Sequence, residues 1–268
     1  MMASNKQQQT GVSLVELMVG LVVGLLVTLA VSALYVRASA MASNQSQNAE
    51  IRENARFAIG ELGRVVRQAA FVGQGGGNVV TPLEMRIDPV RGEMLTVRYL
   101  SNSLKDVDGD TVATMADCAG NSVASQNVEL VNTFFIDTDR GVRKLMCESS
   151  TAGTPTTTVV VADNVEALRL MAGYARTGDG CVFDRYVLPG QVPPAGPLVS
   201  LRLGLLLRSA QAVPLGDRPA VNNFALLGPE VAAGDVGAED LAYSGAYQPE
   251  FSRQIVETTF YLRNRCEK

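Results

Sequence analysis

The sequence predicts an α+β fold in which one long N-terminal α-helix packs on a C-terminal antiparallel β-sheet head. Three observations carry this. Residues 12–36 form an apolar run whose only charge is Glu16. Helical spacing of apolar residues then continues, with no proline before Pro82. Beyond that point the chain changes to β-branched, alternating segments.

The apolar run comes first. As a helix its 25 residues span about 37 Å at roughly 1.5 Å per residue, enough to cross a bilayer with some tilt. A carboxylate inside such a segment costs on the order of 2.5–3.5 kcal/mol at the centre and less near an end. Glu16 therefore calls for a compensating partner. Gly20 and Gly24 form a small-xxx-small pair that lets helices approach closely in lipid.

The helical pattern persists after the run. Ile51, Ala55, Ala58, Leu62, Val65 and Ala69 recur at steps of four and three, with Glu50, Arg52, Glu53, Arg56, Glu61, Arg64 and Arg67 on the other faces. This predicts one nearly continuous helix from about Val12 to about Ala70, amphipathic in its second half. It should stop at the glycine cluster FVGQGGGN, residues 71–78.

Strands follow. MLTVRYL (94–100) alternates. VELVNTFFID (128–137) and GVRKLMC (141–147) read as a hairpin turning at Thr138-Asp139-Arg140. TTTVVVADNVEALRLMAGY (156–174) reads as two strands about a turn at Asp163-Asn164. VSLRLGLLLRS (199–209) and ETTFYLRNR (257–265) complete a set of roughly five to seven. Residues 175–198 and 211–252, rich in glycine and proline, read as loops, and the second is long enough to contact a partner.

Composition narrows the function. The net charge is −4, with 23 basic and 27 acidic residues and no basic block, so nucleic-acid binding is not expected. The chain has no histidine, which removes the commonest general base, the commonest metal ligand and every Ser-His or Cys-His pair. No glycine-rich phosphate loop, G-x-S-x-G or H-E-x-x-H occurs. No catalytic residue, metal or cofactor is therefore expected. DVDGD (106–110) superficially resembles a calcium loop, but its glycine and its twelfth residue, Asp117, depart from the EF-hand pattern. It reads as a solvated Asp-Gly turn.

The four cysteines, Cys118, Cys147, Cys181 and Cys266, all follow the apolar segment and form no C-x-x-C pair. Their even number beyond an export signal favours two disulfides in an oxidising compartment. Three connectivities exist. Pairing Cys118 with Cys147 would close one local sheet unit and leave Cys181 for Cys266; buried free thiols are the alternative.

Three readings compete for the N-terminus. A secretory signal has Lys6 and Ala38-Ser39-Ala40 available, but the apolar run is too long for one. A plain anchor fits the length and leaves Glu16 unexplained. The stretch GVSLVE behind a short polar leader resembles the processing site of type IV prepilins. That resemblance implies cleavage by a prepilin peptidase between Gly11 and Val12, methylation of Val12, and a register role for Glu16, which would pair with the N-terminal amine of a neighbouring subunit. Two buried charges that meet partly offset each other's desolvation, whereas one alone does not. Val12 departs from the phenylalanine usual in major pilins.

Later stretches resemble PilW-type minor pilins: RGEMLTVRYLS (91–101), VSLRLGLLLRS (199–209) and TTFYLRNR (258–265). DNVEALRLMAGY (163–174) is similar both to that group and to J-type minor pseudopilins of type II secretion systems. The resemblance implies a pilin-like fold with a cleaved leader (1–11), a transmembrane and filament-core helix (12–36), its amphipathic continuation (37–72) and a β-rich head (73–268). It further implies a role in initiating pilus assembly. The subunit would sit in the inner membrane with its head in the periplasm, then at or near the pilus tip on the cell surface. Implied partners are other minor pilins, the major pilin and a tip adhesin. The competing classes are a secretion pseudopilin and a membrane-anchored periplasmic enzyme or binding protein.

Overall fold

The computed structural model describes residues 13–69, 71, 81–177, 182–191, 193, 196–212, 223–228, 236–237 and 250–262. The chain divides into two compact units, residues 1–46 and 47–268, each described by itself. A single helix, α1 (Leu14–Gln68), runs through both sequences.

In the first unit every side chain from Leu14 to Val36 is exposed. The large apolar ones are more than half exposed, from Val23 at 53% to Leu14 at 75%. A helix apolar on all sides is made for lipid or for other helices, not for water. Its polar groups are handled internally: the Thr28 hydroxyl donates to the Gly24 carbonyl (2.7 Å) and the Ser32 hydroxyl to the Thr28 carbonyl (2.8 Å). A hydroxyl bonded back to its own helix needs no water, which suits a membrane interior.

In the second unit α1 changes character. Gln47, Ile51, Ala55, Ala58, Leu62, Gly63, Val65 and Val66 are buried at the predicted steps of three and four. Their small size lets the helix lie close to the sheets. At Gly63 a Cβ would lie 2.7 Å from the Phe260 ring, so only glycine fits there without something moving.

The strands are β1 (Leu83–Asp88), β2 (Gly92–Leu100), β3 (Ser103–Lys105), β4 (Thr111–Ala113), β5 (Glu129–Asp139), β6 (Val142–Thr151), β7 (Thr157–Asp163), β8 (Val165–Ala175), β9 (Phe183–Val187), β10 (Leu198–Arg208), β11 (Asn223–Phe224), β12 (Val236–Gly237) and β13 (Arg253–Tyr261). All described pairings are antiparallel. The head is built on two main sheets, not one. The first has the order β1-β2-β5-β6-β7 and the second β13-β10-β8-β9. One apolar core joins the helix to both: Leu62 and Val65 of α1, Leu95, Val97, Phe134 and Leu145 of the first sheet, Leu170, Leu201, Leu203 and Phe260 of the second.

Two expectations need correction. The β5–β6 turn falls at Arg140-Gly141, not at 138–140. Both residues have positive φ (52° and 78°), the two-residue geometry whose twist matches the strands. The 156–174 segment is two strands about Asn164, as expected, and the two lie in different sheets. Asn164, at φ 59°, sends the chain from the first sheet into the second. The stretch 175–198 is not all loop, because it contains the edge strand β9. Within 211–252, Phe224 and Leu226 cover Ala167 and Leu206 on the outer face of the second sheet. That part serves the head's own packing.

Candidate functional site

Two places carry polar chemistry that packing alone does not require: the start of α1 and the disulfide-tied loop beside the first sheet. Glu16 lies in the first turn of α1 and is exposed. Among the described residues no side chain of this chain pairs with it. A carboxylate there is favoured by the helix dipole, yet along the run 14–36 all its neighbours are built for an apolar medium. Gly20 and Gly24 have no heavy atom of another residue within 4 Å of where a Cβ would stand, leaving open notches on the helix surface. Gly11 and Val12, the predicted cleavage and methylation positions, lie outside the described residues.

The second place is organised by Arg64. Its guanidinium leaves α1 to donate to the Ala116 carbonyl (2.9 Å) and the Asp117 carbonyl (2.8 Å), and it is also paired with Glu61. The hydrogen bonding it donates to Glu61 is the main reason the Arg64 pKa is raised. The buried Tyr99 hydroxyl donates to the same Ala116 carbonyl (2.8 Å), and burial pushes its pKa up to about 12. The buried Asn132 side-chain oxygen accepts from the Cys118 N–H (2.7 Å). Next to this knot, Cys118 and Cys147 are bridged, with Cα atoms 6.3 Å apart. Closing a 29-residue separation is worth roughly 3–4 kcal/mol in the chain-entropy account. Cys181 and Cys266 lie outside the described residues.

Asp117 is buried and fully committed. One carboxylate oxygen accepts from the Ala119 and Asn121 N–H groups, both at 2.8 Å. The other accepts from the Ser149 hydroxyl and the Asn121 side-chain amide. With Ser122, Val123, Thr151, Thr154, Pro155 and Thr157 these residues line a cavity of about 320 Å³. At DVDGD, Asp106 accepts from the N–H groups of Asp108 (3.0 Å) and Asp110 (2.9 Å), forming an Asx turn at the tip of the β3–β4 hairpin. Among the described residues no group of three or more carboxylates, cysteines or histidines is placed to hold a metal ion.

Sequence reasoning missed two buried ion pairs. Glu93 of β2 reaches the second sheet, accepting from the Leu170 N–H (2.6 Å) and from Arg169 (2.8 Å). Desolvation raises its pKa in spite of both donors. Glu166 of β8 holds Arg253 of β13 in a two-pronged pair at 2.7 and 3.0 Å. Charged residues on strands read as solvent-facing, and nothing in their spacing marks these two as buried.

Comparison with known proteins bears on both places. The family model described as Type IV Pilus-assembly protein W matches residues 133–264, from within β5 through β13. The model for the prokaryotic N-terminal methylation motif matches residues 6–32, which include Gly11, Val12 and Glu16. None of the curated proteins matches the chain. A type IV-like pilin from Thermus thermophilus aligns in structure with a TM-score of 0.46 and 14% identity, over 80% of this chain and 97% of its own. The chain is a type IV pilin-like protein: just under half of it matches the family described as Type IV Pilus-assembly protein W, and its N-terminus matches the N-terminal methylation motif.

Proposed function

We propose that this protein is a minor pilin that helps to initiate type IV pilus assembly and is incorporated at or near the pilus tip. The observation that carries the reading is the first half of α1, all apolar surface with one carboxylate and no partner for either among the described residues. Such a helix rests in the inner membrane and later enters the helical core of a fibre. Glu16 sets the register there by pairing with the methylated amine of Val12 on a neighbour, after the peptidase has cut behind Gly11. The head lies in the periplasm and then on the cell surface, where it meets other minor pilins, the major pilin and a tip adhesin. The subunit is structural and carries out no catalysis. Support for the pilus over a secretion pseudopilin comes from the PilW match.

Intact mass and N-terminal sequencing of protein recovered from cells with the matching peptidase test this. A methylated Val12 start is the expected result, and a Met1 or Met41 start overturns it. Glu16→Gln should leave processing intact and abolish incorporation into fibres. The same mass measurement under non-reducing conditions tests a second bridge between Cys181 and Cys266. β9 starts and β13 ends at the same end of the second sheet, on its opposite edges, since Gly173 pairs with Tyr186 and Ser200 pairs with both Gly173 and Tyr261.

A further inference from the structure

The cavity beside the first sheet is a well with a buried floor and an open mouth. Asp117, Ser149 and Thr151 are buried at its base, while Asn121, Ser122 and Thr157 stand exposed around the mouth. Ser149 and Thr151 project from the face of β6 that also carries Cys147, and Thr157 is the cross-strand neighbour of Ser149. The opposite wall is the loop from Asp117 to Val123, which the Cys118–Cys147 bridge ties over that face. A covalent link therefore fixes where the two walls stand.

The lining is rich in hydroxyls, and part of its hydrogen-bonding capacity is unspent. Thr151 is only 9% exposed, yet among the described residues its hydroxyl has no partner; the Thr154 hydroxyl goes to its carbonyl instead (2.9 Å). A buried hydroxyl without a partner is costly and calls for one. Asn121 is held in a set orientation, because its amide nitrogen donates to the Asp117 carboxylate (3.2 Å). Its amide oxygen accepts from no donor among the described residues, and the Ser122 and Thr157 hydroxyls are likewise without partners there. Charge has no place in the well. Asp117, the one ionisable group in the lining, already accepts from Ala119, Asn121 and Ser149 with both carboxylate oxygens. An anion would meet that buried negative charge, and a cation would lose its hydration with no carboxylate lone pair to replace it. A wholly apolar molecule would leave the hydroxyls unpaired.

We propose that this well binds a neutral saccharide ring. Such a ring carries hydroxyls that both donate and accept, which is what the unspent groups at Thr151, Asn121, Ser122 and Thr157 require. Its C–H faces suit Val123 and Pro155, the apolar part of the wall. Thr151 holds a ring hydroxyl at the floor, and Asn121 accepts from another nearer the mouth. At about 320 Å³ the cavity lies at the small end of ligand pockets, the size for one ring. The open mouth admits either a free sugar or the last ring of a glycan chain. No residue of α1 lines the well, so the inference stands apart from the pilin reading.

Saturation-transfer NMR on the full-length protein in a sugar-free detergent tests this, with glucose, galactose, mannose and N-acetylglucosamine as probes. At least one should bind with a Kd of about 1 mM, the scale for a ligand of roughly a dozen heavy atoms. Thr151→Val keeps the shape of the floor, removes its hydroxyl and should weaken binding roughly threefold to tenfold. Thr157→Arg, at the exposed rim, fills the mouth and should abolish binding, with the Cys118–Cys147 bridge and the melting temperature of the head retained. The amino sugar and the uronic acid of the bound ring should each bind about tenfold more weakly or worse. A disaccharide ending in that ring and binding more tightly than the ring alone assigns the well to a chain end; equal or weaker binding assigns it to a free sugar. Three results overturn the proposal: no probe binding below about 30 mM, binding that survives Thr157→Arg, or a charged ring that binds as well as its neutral parent.

Discussion

The two halves of α1 are one continuous helix written for two different surroundings. From Leu14 to Val36 no side chain is buried, and the one charge has no mate among the described residues. From Gln47 to Gln68 a stripe of small and aliphatic residues is buried, and Arg64 has three acceptors. Helix propensity does not distinguish the halves. The difference is where the partners are: the second half finds its own in the head, and the first half must find them in lipid or other subunits. A helix can thus be folded in one part and unfinished in another.

The contrast can be broken first at Arg64. Arg64→Ala strands the Ala116 and Asp117 carbonyls and should cost the head about 2–3 kcal/mol; denaturant unfolding of the head measures it. A comparable variant in the first half, Glu16→Gln, should leave that unfolding curve unchanged. Gly63→Val comes next. Its side chain collides with the Phe260 ring and should cost about 1–3 kcal/mol, read as a fall in melting temperature. Gly60, three residues earlier, is exposed with open space around it. Gly60→Ala should therefore stabilise the head by about 0.5–1 kcal/mol, and a loss there would show that the outward face of the helix is covered.

The smallest effect is in pH. Burial raises the Glu93 carboxyl above its ordinary value of 4.5. In the window just above that value the folded chain keeps a proton that the unfolded chain releases. Stability should therefore fall as pH rises through that window. Glu93→Gln should flatten the slope, and a slope that survives would assign it to another carboxyl.

Much of this was legible in the sequence, for physical reasons. Ile51, Ala55, Ala58 and Leu62 announced the buried stripe because a helix repeats its faces at fixed steps. Glu16 announced itself by violating the chemistry around it. The division into two sheets was not legible, because alternation shows two strands in Thr157–Ala175 but not that the left-handed Asn164 sends them into different sheets. Nor was the Arg64 knot, since its acceptors are main-chain carbonyls more than 50 residues away and backbone oxygens leave no mark in a sequence. The hydroxyl-lined cavity follows from strand order and from the loop bridged over β6, which alternation does not encode.

The Cys118–Cys147 bridge has a mechanical consequence. Suppose the head is pulled between α1 and its C-terminus, as a load on a fibre would do. The loop spanned by their sequence separation of 29 is then shunted out of the line of tension. Even a fully unravelled head would fall short of its contour length by roughly 100 Å, at about 3.4 Å per residue. Tension would bypass most of the β5–β6 hairpin through a single covalent link, so that hairpin would survive as slack that force cannot draw out.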